Sequence, residues 1–127
     1  MSNGERASSG FTGLDAILDD FRNRKGGDLS GGQQQQLSIG RALTLDPKLL
    51  ILDEPTEGIQ PSVIKEIEHV LVRIKELSDI AILMVEQYLE FAWRVADVYY
   101  IMAKGSVIET GRTSDVDLES VQKHITI

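Results

Sequence analysis

The sequence contains no cysteine. That absence excludes disulfides, thiolate zinc sites and a cysteine nucleophile, and it agrees with a reducing cytosol. Basic residues are scarce as well: 13 Lys and Arg against 20 Asp and Glu give a net charge of −7, with no basic stripe. A chain that holds nucleic acid by neutralising phosphates needs clustered cations, so nucleic acid is excluded as a partner. Long apolar runs are missing too. The longest, Ile80 to Val85, falls far short of the roughly 20 residues of a bilayer-spanning helix, and Met1 to Gly10 carries no apolar stretch of the signal-sequence kind. The two histidines, His69 and His124, fall on a polar helix side and near the end of the chain, where both read as solvated. Without a His/Cys cluster or a nucleophile beside a base, metallohydrolase and acyl-transfer chemistries are disfavoured.

What is present is ordinary globular composition, 42% apolar and 26% charged, enough for one domain with a hydrophobic core. Residues 1–13, rich in Ser, Gly and Asn, read as a flexible leader. Leu14, Ile17, Leu18 and Phe21 predict a short helix to about Arg24, with Asp15, Asp19 and Asp20 on its solvated face. Ser30 and Gln33 match a capping box that opens a second helix, which Asp46-Pro47 ends. Leu49 to Leu52 reads as a strand buried on both faces. Pro61 then opens a long helix with an apolar stripe from Val63 to Leu77. Ile80 to Val85 is a second buried strand, Tyr88 to Val95 a further helix, and Val98 to Met102 a third strand turning at Lys104-Gly105 into Ser106 to Thr110. A last helix spans about Ser114 to His124. Met84 and Trp93 fit packing roles. Alternating strands and helices predict an α/β fold with a largely parallel sheet covered on both faces.

Two segments carry chemistry. In Leu29-Ser30-Gly31-Gly32-Gln33 a hydroxyl and two glycines precede a helix, where unpaired N–H donors and the helix dipole suit a phosphate; the same residues also serve simply to cap their own helix. Leu49 to Pro55 delivers Asp53 and Glu54 at the end of a strand. Asp53 suits Mg²⁺, directly or through water, and Glu54 suits orienting and deprotonating a water; a solvated strand end is the plainer alternative.

In this order, 23 residues apart from Ser30 to Asp53, the two segments resemble the signature and Walker B motifs of ABC transporter ATPases. Arg41-Ala42-Leu43 and Asp46-Pro47 stand where that family has them, and the resemblance continues over residues 14–127. It implies an incomplete P-loop NTPase fold: the end of the helical subdomain, signature helix, Walker B, switch region, and a carboxyl-terminal hairpin and helix. It implies Mg-ATP as the ligand of the complete protein, sandwiched between one subunit's phosphate loop and the signature residues Leu29, Ser30, Gly31, Gly32 and Gln33 of another. Asp53 would hold Mg²⁺, Glu54 and Gln87 would be catalytic, and Gly58-Ile59-Gln60 would form the D-loop. Two positions depart from the general pattern: Gln60 stands where Asp is usual and Gln87 where His is frequent. An amide hydrogen-bonds but carries no proton as imidazolium does, so more of the base role falls to Glu54.

Leu29 to Gln36, Glu57 to Pro61 and Val85-Glu86-Gln87 look most like ATPase subunits of urea or branched-chain amino acid importers. The resemblance then implies membrane permease partners and a cytoplasmic location, peripheral on the inner face of the cytoplasmic membrane. No G-x-x-x-x-G-K-[ST] occurs in these 127 residues, so this chain alone is expected to bind no nucleotide and to be inactive. In the family fold the phosphate-loop strand lies between the strands at 80–85 and 98–102. A chain without it is expected to form a homo-oligomer, a dimer first, or to pair with a full-length ATPase subunit. The alternative is a truncated, non-enzymatic interaction module that oligomerises through exposed sheet edges.

Overall fold

Gly27 and residues 29–125 are described by the structure, a computed structural model. The leader and the helix expected over residues 14–24 lie outside them.

Helix α1, Gly31–Leu43, begins where both halves of a capping box close: the Gln33 N–H donates to Ser30 Oγ and the Ser30 N–H donates to the Gln33 side chain. Strand β1, Leu49–Asp53, follows a turn in which Asp46 takes the left-handed conformation at φ 50°. Helix α2, Pro61–Leu77, starts on Pro61, whose missing N–H costs nothing in a first turn. Strand β2, Ala81–Val85, helix α3, Leu89–Val95, and the hairpin of β3, Val98–Ala103, with β4, Ser106–Arg112, come next. Helix α4, Leu118–Ile125, is the last element. It starts later than the expected Ser114, because residues 113–117 form a turn in which Thr113 bonds the Asp97 and Ala96 carbonyls.

The core lies between α2 and one face of β1. Leu50 and Leu52 point inward against Ile67, Leu71 and Ile74, while Ile39 and Leu43 of α1 and Phe91 and Val95 of α3 close the sides. The apolar stripe read along α2 is thus the spine of the molecule. Trp93 stacks at a tilt on Tyr99, ring centroids 4.9 Å apart, and Met84 packs partly buried against the core.

β1 and β2 pair in parallel, Leu49 opposite Ala81 through Asp53 opposite Val85. β3 and β4 pair antiparallel, with a register shift at Ile101/Met102 that leaves Ile108 without an opposite residue. Among the described residues these remain two separate two-stranded sheets, β2 and β3 each keeping an unpaired edge. The expectation of a sheet covered on both faces, with β1 and β2 buried on both, is corrected here. Strand alternation sends Leu49, Ile51, Leu83 and Val85 to the side away from α2, where all are about half exposed or more. No described element packs on that side, so the continuous apolar run of β1 has only one face in the core.

Candidate functional site

The parallel register of β1 and β2 builds the site. Because Asp53 stands opposite Val85, the residues that follow each strand emerge side by side at the carboxyl ends, where α/β sheets place their ligands. The Glu54 N–H donates to Val85 O at 2.8 Å, extending the ladder by one rung. Beyond that rung Glu54 turns to φ 45°, a left-handed conformation uncommon for a residue with a Cβ. Its carboxylate then accepts from Gln87 Nε2 at 2.7 Å. Two residues separated by 33 positions, both singled out in the sequence, are in direct contact.

Three more acidic groups surround them. Glu57 lies beside Glu54, and hydrogen bonding and repulsion from its carboxyl hold the Glu54 carboxyl above the usual carboxylate range. Desolvation and the charge of Asp53 push the same way, and the Gln87 amide opposes them. Asp53 is exposed at the strand end. Glu86 was missed as a functional residue by the sequence reading. Its carboxylate accepts from Thr56 Oγ1 at 2.8 Å, Thr56 N at 3.3 Å, Gln87 N at 2.8 Å and Tyr88 N at 3.0 Å. The carboxylate one and two residues before the N–H groups of a tight turn signals only the local half of this arrangement; nothing in the sequence signals its bonds to Thr56.

The signature residues form the second part. Leu29 is buried, so its side chain anchors the loop, and its carbonyl accepts from Gln34 Nε2. Ser30 and Gln33 are engaged in the cap, and the Gln34 N–H donates to Ser30 O. The first-turn donors left without a partner inside the helix are the N–H groups of Gly31 and Gly32. A Cβ on Gly32 would overlap Val63, whereas one on Gly31 would stand 3.4 Å from Ile59 Cδ1. Gly32 therefore permits close approach of α1 to α2, and Gly31 does not need to be glycine for space.

Between the two parts runs the turn Gly58-Ile59-Gln60. Gly58 has φ 69° with open space around its Cα, so backbone conformation and not crowding selects glycine there. Gln60 is the N-cap residue of α2 but makes no cap bond with its side chain, which is exposed. His69 is exposed, as expected; His124, also exposed, lies with Nδ1 2.8 Å from Glu109. Among the described residues no group of His, Cys, Asp and Glu is arranged to hold a metal unaided, and no helix is long and apolar enough to cross a membrane.

Paired carboxylates at the carboxyl end of a parallel strand, with an amide from just beyond the neighbouring strand on one of them, form the kind of strand-end site at which α/β folds hold ligands. The sequence model of the ABC transporter family matches residues 5–57. The phosphate import ATP-binding protein PstB of Pyrobaculum aerophilum is 36% identical over 117 residues, 87% of this chain and 46% of that protein. The high-affinity branched-chain amino acid transport ATP-binding protein BraG of Pseudomonas aeruginosa is 38% identical over 101 residues, 75% of this chain and 43% of that one. In structure, MJ1267, an ATP-binding cassette of an ABC transporter, superimposes with a TM-score of 0.74 at 32% identity, over 91% of this chain and 48% of that one. The chain is therefore part of an ATP-binding cassette of the ABC transporter family, with a partial P-loop NTPase fold. It spans less than half the length of the curated relatives it matches.

Proposed function

We propose that this chain supplies the signature helix and the Walker B and switch edge of an ATPase subunit that couples ATP hydrolysis to solute import. The contact between Gln87 Nε2 and Glu54 carries the reading. It fixes one oxygen of the strand-end carboxylate, so that the group beside Asp53 is oriented before any ligand arrives. Asp53 offers exposed hard oxygens of the kind Mg²⁺ takes, next to a second carboxylate, and these residues fit that ion. When bound, Mg²⁺ supplies neutralisation of phosphate charge. Glu54, held above its ordinary range by Glu57, accepts a proton more readily than a free carboxylate and orients a water. Gln87 orients Glu54 and is a second donor at the same point. The free N–H groups of Gly31 and Gly32, with the exposed Ser30, meet phosphate held by another subunit.

MJ0796, a bacterial ABC transporter cassette, has a dimeric structure, and the experiment uses that geometry. An intact homologous cassette disabled in its own signature is mixed with this chain, and ATP turnover is measured. We expect the chain to restore turnover at one site, Ser30→Arg to remove the gain through bulk at the phosphate, and the 127-residue chain alone to turn over nothing. No gain in the mixture, or a gain indifferent to Ser30→Arg, refutes the reading. The solute class we infer is urea or branched-chain amino acids, supported by Glu57-Gly58-Ile59-Gln60-Pro61 and Val85-Glu86-Gln87 and by the likeness to BraG; the cytoplasmic face of the membrane is the corresponding location. Retention of the chain by permease subunits of that class, and not by phosphate-importer permeases, tests it.

Exposed apolar side chains and open strand edges on both sheets favour a second reading, association through the sheets. Ile51, Tyr100 and Met102 are each more than 60% exposed, and β2 and β3 each present an unpaired edge. An open strand edge templates pairing with another chain. We propose a homodimer, with exchanged elements satisfying both edges at once. Sedimentation at micromolar concentration is expected to give a dimer; a cooperatively melting monomer refutes it.

A further inference from the structure

We propose that Glu86 is a positioning residue: it clamps the switch turn to the Walker B turn and thereby holds the Gln87 amide against Glu54. The inference rests on the reading of Glu54 and Gln87 as the catalytic pair, and it adds a residue to which neither the motifs nor the family pattern gave a role.

The geometry is divided between the two carboxylate oxygens. Oε1 accepts the backbone N–H groups of Gln87 and Tyr88, at 2.8 and 3.0 Å. Oε2 accepts the hydroxyl and the N–H of Thr56, at 2.8 and 3.3 Å. Thr56 is buried and lies 30 residues earlier, two positions after Glu54. One side chain therefore fastens the backbone that carries Gln87 to the backbone that carries Glu54. Four donors converge on one charged acceptor, and bonds to an ionised acceptor are shorter and stronger than neutral ones. Gln87 itself is exposed, with no packing of its own to fix its rotamer. Its position relative to Glu54 is set by the Val85–Glu54 rung on one side and by this clamp on the other.

The division predicts different outcomes for three substitutions. Glu86→Ala removes both halves. Glu86→Gln keeps one carbonyl oxygen, which stays with the two N–H groups of the switch turn; the new amide faces Thr56, whose hydroxyl reverses to accept, while the Thr56 N–H loses its acceptor. Thr56→Val removes only the hydroxyl bond, so exchange at Gln87 and Tyr88 should not change. The readout is amide hydrogen exchange together with the chemical shift of the Gln87 side-chain NH₂, both followed by NMR on the 127-residue chain.

In Glu86→Ala we expect exchange at Thr56, Gln87 and Tyr88 to accelerate about ten- to hundred-fold, the range corresponding to loss of a charge-assisted bond, with Leu71 and Ile74 in the core unchanged. The Gln87 NH₂ shift moves to the free-amide value. In Glu86→Gln the acceleration is confined to Thr56. An unchanged Gln87 NH₂ shift in Glu86→Ala overturns the proposal, as does equal acceleration at Leu71, which signals mere global destabilisation. Should Glu86→Ala fail to fold, Glu86→Gln decides: equal change at Thr56 and Gln87 refutes the clamp. No nucleotide enters these measurements, so failure of the mixed-subunit assay leaves this inference standing, and its failure leaves that assay informative.

Discussion

Replacing Gly32 by Ala puts the packing of the signature helix to a direct test. The added Cβ would overlap Val63 Cγ1, and it would lie 2.9 Å from Val63 Cβ and 3.4 Å from Ile59 Cγ2. Two opposing effects set the sign. Alanine is favoured over glycine in a helix interior by about 1 kcal/mol, less near the first turn. Forcing a methyl into a filled space costs about 1 to 3 kcal/mol. Since Val63 Cβ is attached to the backbone of α2 and cannot rotate away, the steric effect wins, and a net loss of about 1 to 2 kcal/mol is expected. Gly31→Ala is the internal control: its Cβ meets only Ile59 Cδ1 at 3.4 Å, the end of a flexible side chain, so it should be neutral or slightly stabilising. Val63→Ala empties the space, and in the double variant the two losses should fall short of additivity by more than about 1 kcal/mol. Urea unfolding followed through Trp93 fluorescence measures all four proteins. Equal midpoints for the Gly31 and Gly32 variants, or strict additivity with Val63→Ala, would refute the close-approach argument.

Two other outcomes follow from particular side chains. The Tyr99 phenol donates to Glu109 at 2.8 Å, and that bond, desolvation and the Glu109 charge hold its pKa above the ordinary tyrosine value. The folded chain therefore keeps the proton longer than the unfolded chain, so this contribution to stability is complete below a pH of about 10 and is lost as pH rises from there toward the folded value; Tyr99→Phe should flatten the alkaline fall in urea midpoint, and an unchanged slope would contradict the assignment. Glu54 holds φ 45°, which Asn tolerates and β-branched residues do not, so Glu54→Val should be less stable than Glu54→Asn by about 1 to 2 kcal/mol in the same unfolding assay; equal midpoints would show that the turn relaxes freely.

The local elements were legible because local rules decide them. Ser30 and Gln33 announce the start of α1, Pro61 that of α2, and Lys104-Gly105 the hairpin turn, each through chemistry confined to a few residues. The stripe gives the buried face of α2 from Ile64 to Ile74 for the same reason, while Leu77 at its end is half exposed. What β1 buries was not legible in this way. An apolar run such as Leu49-Leu50-Ile51-Leu52 is compatible with one or two covered faces, and only the positions of other elements choose between them. Val116, Leu118 and Val121 suggest a last helix from about Ser114, yet the Thr113 bonds to Ala96 and Asp97 hold residues 113–117 as a turn. Asp53, Glu54 and Gln87 were visible as motif positions. Glu86 was not, because its function lies in joining Thr56 to a turn 30 residues away, and no spacing rule encodes that pairing.

The two halves of the site are mechanically one piece, and the reason is a single short turn. From Glu54 the chain runs through Glu57, whose N–H donates to Glu54 O, to Ile59, whose N–H donates to Thr56 O. These bonds leave the path from the strand-end carboxylates to Ile59 little freedom. The Ile59 side chain then stands at the positions that Cβ atoms on Gly31 and Gly32 would contact. Gln36 adds a second tie between the same helices: it is buried on α1, and its amide donates to Glu66 of α2 at 3.0 Å. Packed interiors transmit displacement because they have little free volume to absorb it. The tight contact between the helices is at Gly32, where a Cβ would overlap Val63, so a displacement of the start of α1 is met first by α2. Close packing at Gly32 and the Gln36–Glu66 bond hold α1 and α2 in one fixed relation, and the hydrogen-bonded turn from Glu54 to Ile59 joins the strand end to the same pair of helices.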